Sequence, residues 1–123
     1  MIVGIGIDVI EISRIEKVFN EEKKLEKVFT EEEIRYSFSN KEPYLHLAAR
    51  FCAKEAYYKC LGKGVIHFNE IETRRMENGK PYIVLYGKTK EIWENAGSPD
   101  IFVSLSHSKT VATAVVILEK KEQ

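Results

Sequence analysis

Met1-Ile-Val-Gly-Ile-Gly-Ile-Asp-Val-Ile-Glu-Ile12 opens the chain with the alternation of a β-strand. Ile5, Ile7 and Val9 point one way, and Gly4, Gly6 and Asp8 the other. A carboxylate in an aliphatic run is costly to bury without a partner. The face that carries Asp8 has no bulk beside it, so something polar can approach, a hard cation or a phosphate being the natural candidate. The glycines equally suit close packing of a strand, and Asp8 lies near enough to the next helix to cap it.

Outward from this strand, read as buried over residues 2–10, Ile12, Ile15 and Phe19 recur at helical spacing. The charged stretch from Asn20 to Lys27 reads as a loop or a weak helix. Thr30-Glu-Glu-Glu33 is a capping-box pattern, with Thr30 as N-cap and Glu33 at N3. Pro43 suits a first helical position. Tyr44 to Leu61 is the strongest helix, with an apolar stripe of Leu45, Ala48 or Ala49, Cys52, Ala56 and Cys60, and Gly62 and Gly64 as stops. Residues 70–75 and 81–86 form a strand pair across Glu77-Asn-Gly-Lys-Pro81, a hairpin-turn sequence. A short helix from Thr89 to Asn95 and two strands, 101–106 and 111–118, complete an α+β domain, an antiparallel sheet packed on a long helix.

With 123 residues the chain fits one domain. Lysine plus arginine and aspartate plus glutamate both total 19, and zero net charge argues against a general nucleic-acid binder. No segment is long enough to span a membrane, and the N-terminus lacks the basic region of a signal peptide. Cys52 and Cys60, eight residues apart on one helix, are separated by about 12 Å along its axis. That is too far for a disulfide, and reduced core cysteines suit a cytoplasmic protein.

Three segments carry polar groups that the fold alone does not require. The first holds Asp8. The second is Arg50-Phe-Cys-Ala-Lys-Glu55-Ala-Tyr-Tyr-Lys59, where Glu55 and Lys59 share a helix face, as a chemical pair or as a surface ion pair. The third is Ser104-Leu-Ser-His107-Ser108-Lys109, whose hydroxyl, imidazolium and ammonium donors suit a phosphate or a solvated turn. A Ser–His hydrolase is excluded, because adjacent strand residues point to opposite faces. Two carboxylates from separate elements, with cations around them, fit magnesium against phosphate oxygens and hence phosphoryl-type transfer.

Taken together the three segments resemble the holo-acyl-carrier-protein synthase family of small bacterial 4′-phosphopantetheinyl transferases. The family pattern is a glycine-rich strand ending in Asp, a helix reading Arg-Phe-x-Ala-Lys-Glu-Ala-x-x-Lys, and a Ser-x-Ser-His-Ser/Thr strand end; Asn78-Gly79-Lys-Pro81 also matches. The resemblance implies transfer of the 4′-phosphopantetheine arm of coenzyme A to a serine of apo-acyl carrier protein, with Mg2+ and release of adenosine 3′,5′-bisphosphate. Carried over, Asp8 and Glu55 hold the metal, and Lys59 contacts the diphosphate and stabilises the leaving group. Arg50, His107 and Ser108 help bind the nucleotide phosphates. Asn78, Gly79 and Pro81 border the adenine. Arg14, beside Lys17, docks the carrier protein. Family members are homotrimers with sites between subunits. Four positions depart from the pattern: Glu21 and Glu22 replace basic residues, Val111 replaces Tyr, and Cys52 replaces Ala, the last read as packing. Two rival readings are a small metal-dependent nucleotide hydrolase and a non-catalytic binding module for coenzyme A or a carrier protein.

Overall fold

The structure is a computed structural model and describes residues 1–62 and 67–121. Strand β1 (Ile2–Glu11) runs directly into α1 (Ile12–Val18), followed by α2 (Glu22–Val28), α3 (Glu31–Phe38) and the long α4 (Pro43–Cys60). A 3-10 turn at Phe68–Glu70 leads to the hairpin of β2 (Ile71–Arg75) and β3 (Pro81–Leu85), then α5 (Gly87–Asn95), β4 (Asp100–His107) and β5 (Val111–Glu119). The first and last strands pair: a three-stranded antiparallel sheet has the order β1-β5-β4, and β2-β3 is separate. The α+β class is therefore as read from the sequence, with two sheets rather than one.

Helix α4 is the centre of the molecule. Ala112, Ala114, Val116 and Leu118 of β5 are buried on the sheet face turned towards it. Its covered arc is wider than the expected stripe. Leu47, Ala53, Tyr57 and Tyr58 are buried along with Ala48, Ala49, Cys52 and Ala56, because α1, α3 and the hairpin pack round the sides that the sheet leaves open. Pro43 starts α4, and Gly62, just beyond it, adopts the left-handed conformation (φ 68°). Gly64, the second expected stop, lies outside the described residues.

The glycines of β1 mark the closest approach of strand and helix. A Cβ on Gly6 would lie 1.8 Å from the Ala56 carbonyl oxygen, and one on Gly4 2.6 Å from that of Cys60. What approaches the bare face is therefore the backbone of α4, the close-packing alternative. β1 is not buried on both sides, as expected from its aliphatic run. Ile5, Ile7 and Val9 are 59%, 62% and 63% exposed, because nothing among the described residues covers the outer face of the sheet.

The capping box is present: Thr30 Oγ1 accepts from the Glu33 amide (3.2 Å) and Glu33 Oε1 from the Thr30 amide (3.0 Å). Glu33 does more than cap. It is fully buried, accepts from Lys54 Nζ at 2.6 Å and from the Thr73 amide at 3.0 Å, and so ties α3 to α4 and β2. Lys54, also fully buried, spends its other donors on the carbonyls of Phe68 (2.9 Å) and Ile71. The charged stretch after α1 folds as α2, since Leu25 and Phe29 enter the core. Helix α5 begins before Thr89 because Glu70, distant in sequence, accepts from the Thr89 amide (2.9 Å) and hydroxyl (2.8 Å).

Three outcomes follow from this packing. Gly6→Ala forces β1 off α4 and should cost at least about 2–3 kcal/mol in urea denaturation. Glu33→Ala strands Lys54 without a counter-ion and should cost about 3–5 kcal/mol. Glu32→Ala, which removes only the exposed pair with Arg35, should leave the midpoint nearly unchanged. Both cysteines are free; burial, reinforced by Asp8, pushes the Cys52 thiol up to about 12, and burial pushes Cys60 up to about 11. Neither should alkylate readily with iodoacetamide at pH 8 in the native protein, and both should react in urea.

Candidate active site

Asp8 sits two residues beyond Gly6, where β1 lies tightest on α4. Its backbone carbonyl accepts from Thr113 Oγ1 at 2.7 Å, which holds this part of β1 to the central strand. Its side chain does not cap α1, whose N-cap is Glu11 with no side-chain bond. Instead Lys59, from α4, donates to Asp8 Oδ1 at 3.1 Å and to the Ile7 carbonyl at 2.9 Å. The expected surface pair of Glu55 with Lys59 on one helix is thus replaced by a pair between helix and strand.

Glu55 faces the same space. Burial, then the neighbouring Asp8 charge, raises its carboxyl above the usual range, with Lys59 opposing. A carboxyl whose proton affinity is raised by a neighbouring carboxylate marks a place where a cation would be favoured. Asp8, Glu55, Lys59 and Arg14 form the polar wall of a cleft of about 430 Å³, and Ile10, Ile15, Val18, Phe19 and Phe51 form its apolar wall. A larger hollow, about 650 Å³, lies beside α2 and α3, lined by Glu22, Glu26, Glu31 and Arg35. Glu32 already engages that arginine, and nothing there pairs carboxylates from separate elements with free cations, so chemistry and not size selects the smaller cleft. Lys17, in the last turn of α1, is exposed a turn from Arg14.

Among the described residues no three His, Cys, Asp or Glu side chains gather as a metal-binding group. The cleft supplies two hard carboxylates, which suits an ion that keeps waters and takes its remaining ligands from a phosphorylated substrate.

The other expected site residues do not line this cleft. Five residues on an α-helix turn by about 500°, which puts Arg50 roughly 140° round α4 from Glu55. Arg50 is 1% exposed, and its guanidinium carbon lies 4.3 Å from the centroid of the Tyr36 ring. Arg75 reaches the same ring at 5.8 Å and donates to the Gly79 carbonyl at 2.6 Å, which joins the Asn78-to-Pro81 turn to this second patch. Gly79 has the left-handed φ of 88° that the turn requires. His46, one turn before Arg50, meets Tyr36 edge-on at 5.5 Å, with His107 adding to the positive field around it. His107 is the last residue of β4 rather than the start of a turn. Ser108 Oγ accepts from the amides of Thr110 (3.3 Å) and Val111 (3.2 Å), so its hydroxyl oxygen shapes the β4–β5 turn. Tyr36, His46 and Arg75 were not legible as site residues. Only the His46–Arg50 spacing on one helix offered a signal, and the partners from α3 and β2 are brought in by the fold.

The sequence model of the 4′-phosphopantetheinyl transferase superfamily matches residues 4–115. A holo-[acyl-carrier-protein] synthase of Treponema denticola is 42% identical over 122 residues, covering 97% of this chain and 99% of the relative. One of Syntrophus aciditrophicus is 45% identical over 124 residues, covering 97% of each. A crystal structure of a holo-(acyl-carrier-protein) synthase from Bacillus anthracis, in complex with CoA (3′,5′-ADP), superposes with a TM-score of 0.82 at 38% identity, covering 98% of this chain and 99% of that one. With Asp8, Glu55 and Lys59 in one cleft and residues 4–115 matched by the family's model, the chain belongs to the 4′-phosphopantetheinyl transferase superfamily.

Proposed function

We propose that this chain is a holo-[acyl-carrier-protein] synthase: it transfers the 4′-phosphopantetheine arm of coenzyme A to a serine of apo-acyl carrier protein and releases adenosine 3′,5′-bisphosphate. The observation that carries the reading is the meeting of Asp8 and Glu55, 47 positions apart in the sequence, in one cleft with Lys59. Asp8 and Glu55 are the residues that would hold Mg2+, which when bound neutralises charge on the diphosphate oxygens. The carrier serine hydroxyl attacks the phosphorus bearing the pantetheine arm. The bond from that phosphorus to the oxygen of the adenosine bisphosphate breaks, and the hydroxyl proton passes to one of the two carboxylates, directly or through water. Lys59, already aimed at Asp8, offsets charge on the departing bisphosphate. The apolar wall of Ile15, Phe19 and Phe51 excludes water from the reacting phosphorus. Arg14, on the wall of the cleft, and Lys17, exposed one turn further along α1, offer cations to an acidic carrier protein.

Arg50, His107, Ser108 and the Asn78, Gly79 and Pro81 turn serve the nucleotide end of coenzyme A. They lie outside the cleft of their own chain, which supports a site completed by a neighbouring subunit. The bare outer face of the sheet, with Ile5, Ile7, Val9 and Phe102 exposed together, supports self-association through it, and the assembly is a homotrimer. No helix among the described residues is long and apolar enough to cross a membrane. The two free cysteines support a reducing compartment, the cytoplasm.

Mass spectrometry of apo-carrier protein incubated with coenzyme A, Mg2+ and the enzyme should show the carrier gaining the phosphopantetheine arm. Consumption of coenzyme A with an unmodified carrier would mark a hydrolase, and no turnover a binding module. Asp8→Ala and Glu55→Ala should each lower transfer by at least about a hundredfold while thermal unfolding stays close to wild type. Wild-type turnover by either variant would remove that residue from the mechanism.

A further inference from the structure

Helix α4 buries two cations, and only one has a carboxylate. Lys54 is paired with Glu33. Arg50, 1% exposed, forms no ion pair among the described residues. Among the described residues its Nε has no hydrogen-bond partner, and one terminal nitrogen reaches the His46 carbonyl at 3.4 Å. Glu33 is near but committed to Lys54, Thr30 and Thr73. A buried guanidinium with unspent donors is a strong demand for an anion.

The surroundings sharpen the demand. Arg75 from β2 and Arg50 from α4 both lie against the Tyr36 ring of α3, and His46 meets its edge. Facing His46 are Arg50 on its own helix, Arg75 from β2, His107 from β4, Tyr36 from α3, and Glu42 just before α4. Burial first, then Arg50, Arg75 and His107, lower the imidazole below its usual range, with Glu42 opposing. The imidazole is therefore neutral at neutral pH while the cluster holds no anion. An anion placed among these groups reverses the balance, and a dianion reverses it most. Under the reading above, the group of coenzyme A with that charge outside the diphosphate is its phosphomonoester.

We propose that His46 is a proton-coupled member of this subsite: it takes up a proton as a phosphomonoester dianion binds between Arg50 and Arg75, and donates to the anion as an imidazolium. Tyr36 acts as a positioning residue, a platform that keeps the two guanidinium groups side by side. Because the bound-state pKa of His46 lies above the free-state one, affinity rises as pH falls through the bound-state value and levels off below the free-state value. The proposal rests on the assignment of the nucleotide phosphates to this patch.

The test is a titration of the full-length protein, carrying 15N-labelled histidine, with adenosine 3′,5′-bisphosphate. Long-range proton–nitrogen correlation spectra report the state of each imidazole, and His46→Gln identifies the signal. His46 should be neutral in the free protein at pH 7.5, become imidazolium at saturation, and remain neutral with adenosine, which carries no phosphate. Calorimetry in two buffers of different ionisation enthalpy should show proton uptake that the variant loses. His46→Gln should weaken bisphosphate binding about tenfold at pH 6.5, the size of one charge-assisted hydrogen bond, and far less at pH 9. A His46 that stays neutral at saturation overturns the proposal and leaves the transferase reading untouched. Failure of the bisphosphate to bind overturns both the proposal and the placing of the nucleotide phosphates here, whereas the carrier-modification assay judges the transferase activity separately.

Discussion

The approach of a bare strand to a helix backbone controls the site. Any side chain at residue 6 would collide with the Ala56 carbonyl. With hydrogen there, β1 and α4 lie closer than two elements with side chains between them can. Asp8, two residues beyond, then falls within reach of Lys59 and beside Glu55. The two carboxylates are held by different elements, and their separation is set by backbone contact rather than by flexible side chains. Such a pair is pre-organised, so a cation taken between the two carboxylates would need no rearrangement of either element.

The two buried cations of α4 divide the tasks of fold and function. Lys54 meets a carboxylate and two carbonyls, and it joins α3, α4 and the start of β2. Its electrostatics are closed within the chain. Arg50, one turn earlier, is as deeply buried but finds an aromatic ring and a second arginine instead of a carboxylate. A buried charge left open in this way lowers stability, and a bound anion would offset that cost. The same helix therefore carries one cation that the fold uses and one that a ligand would use. The sequence makes no distinction between them.

Helix α4 also has two working sides. Glu55 and Lys59 face the strand, while His46 and Arg50 face α3 and the hairpin. On the sheet, the exposed row of Ile5, Ile7 and Val9 is an apolar face that none of the described residues covers.

Local chemistry was legible in the residues. Thr30 and Glu33 announce a capped helix, Pro43 its successor, Asn78 and Gly79 a turn, and the alternation around Asp8 a strand, because each rests on neighbours within a few positions. The three polar segments likewise carried the family pattern, and with it Asp8, Glu55 and Lys59. Partnerships between distant elements were not legible. Glu33 reads as a cap and serves as the counter-ion of Lys54. Lys59 reads as the partner of Glu55 and turns to Asp8. Tyr36, His46 and Arg75 have no common spacing and meet only where α3, α4 and β2 converge. Sequence by itself determined the elements, the acidic pair and the chemistry those residues suit. Only the tertiary structure decided which charges neutralise one another and which remain open, since a charge finds its partner across space, over distances that packing creates and sequence separation does not record.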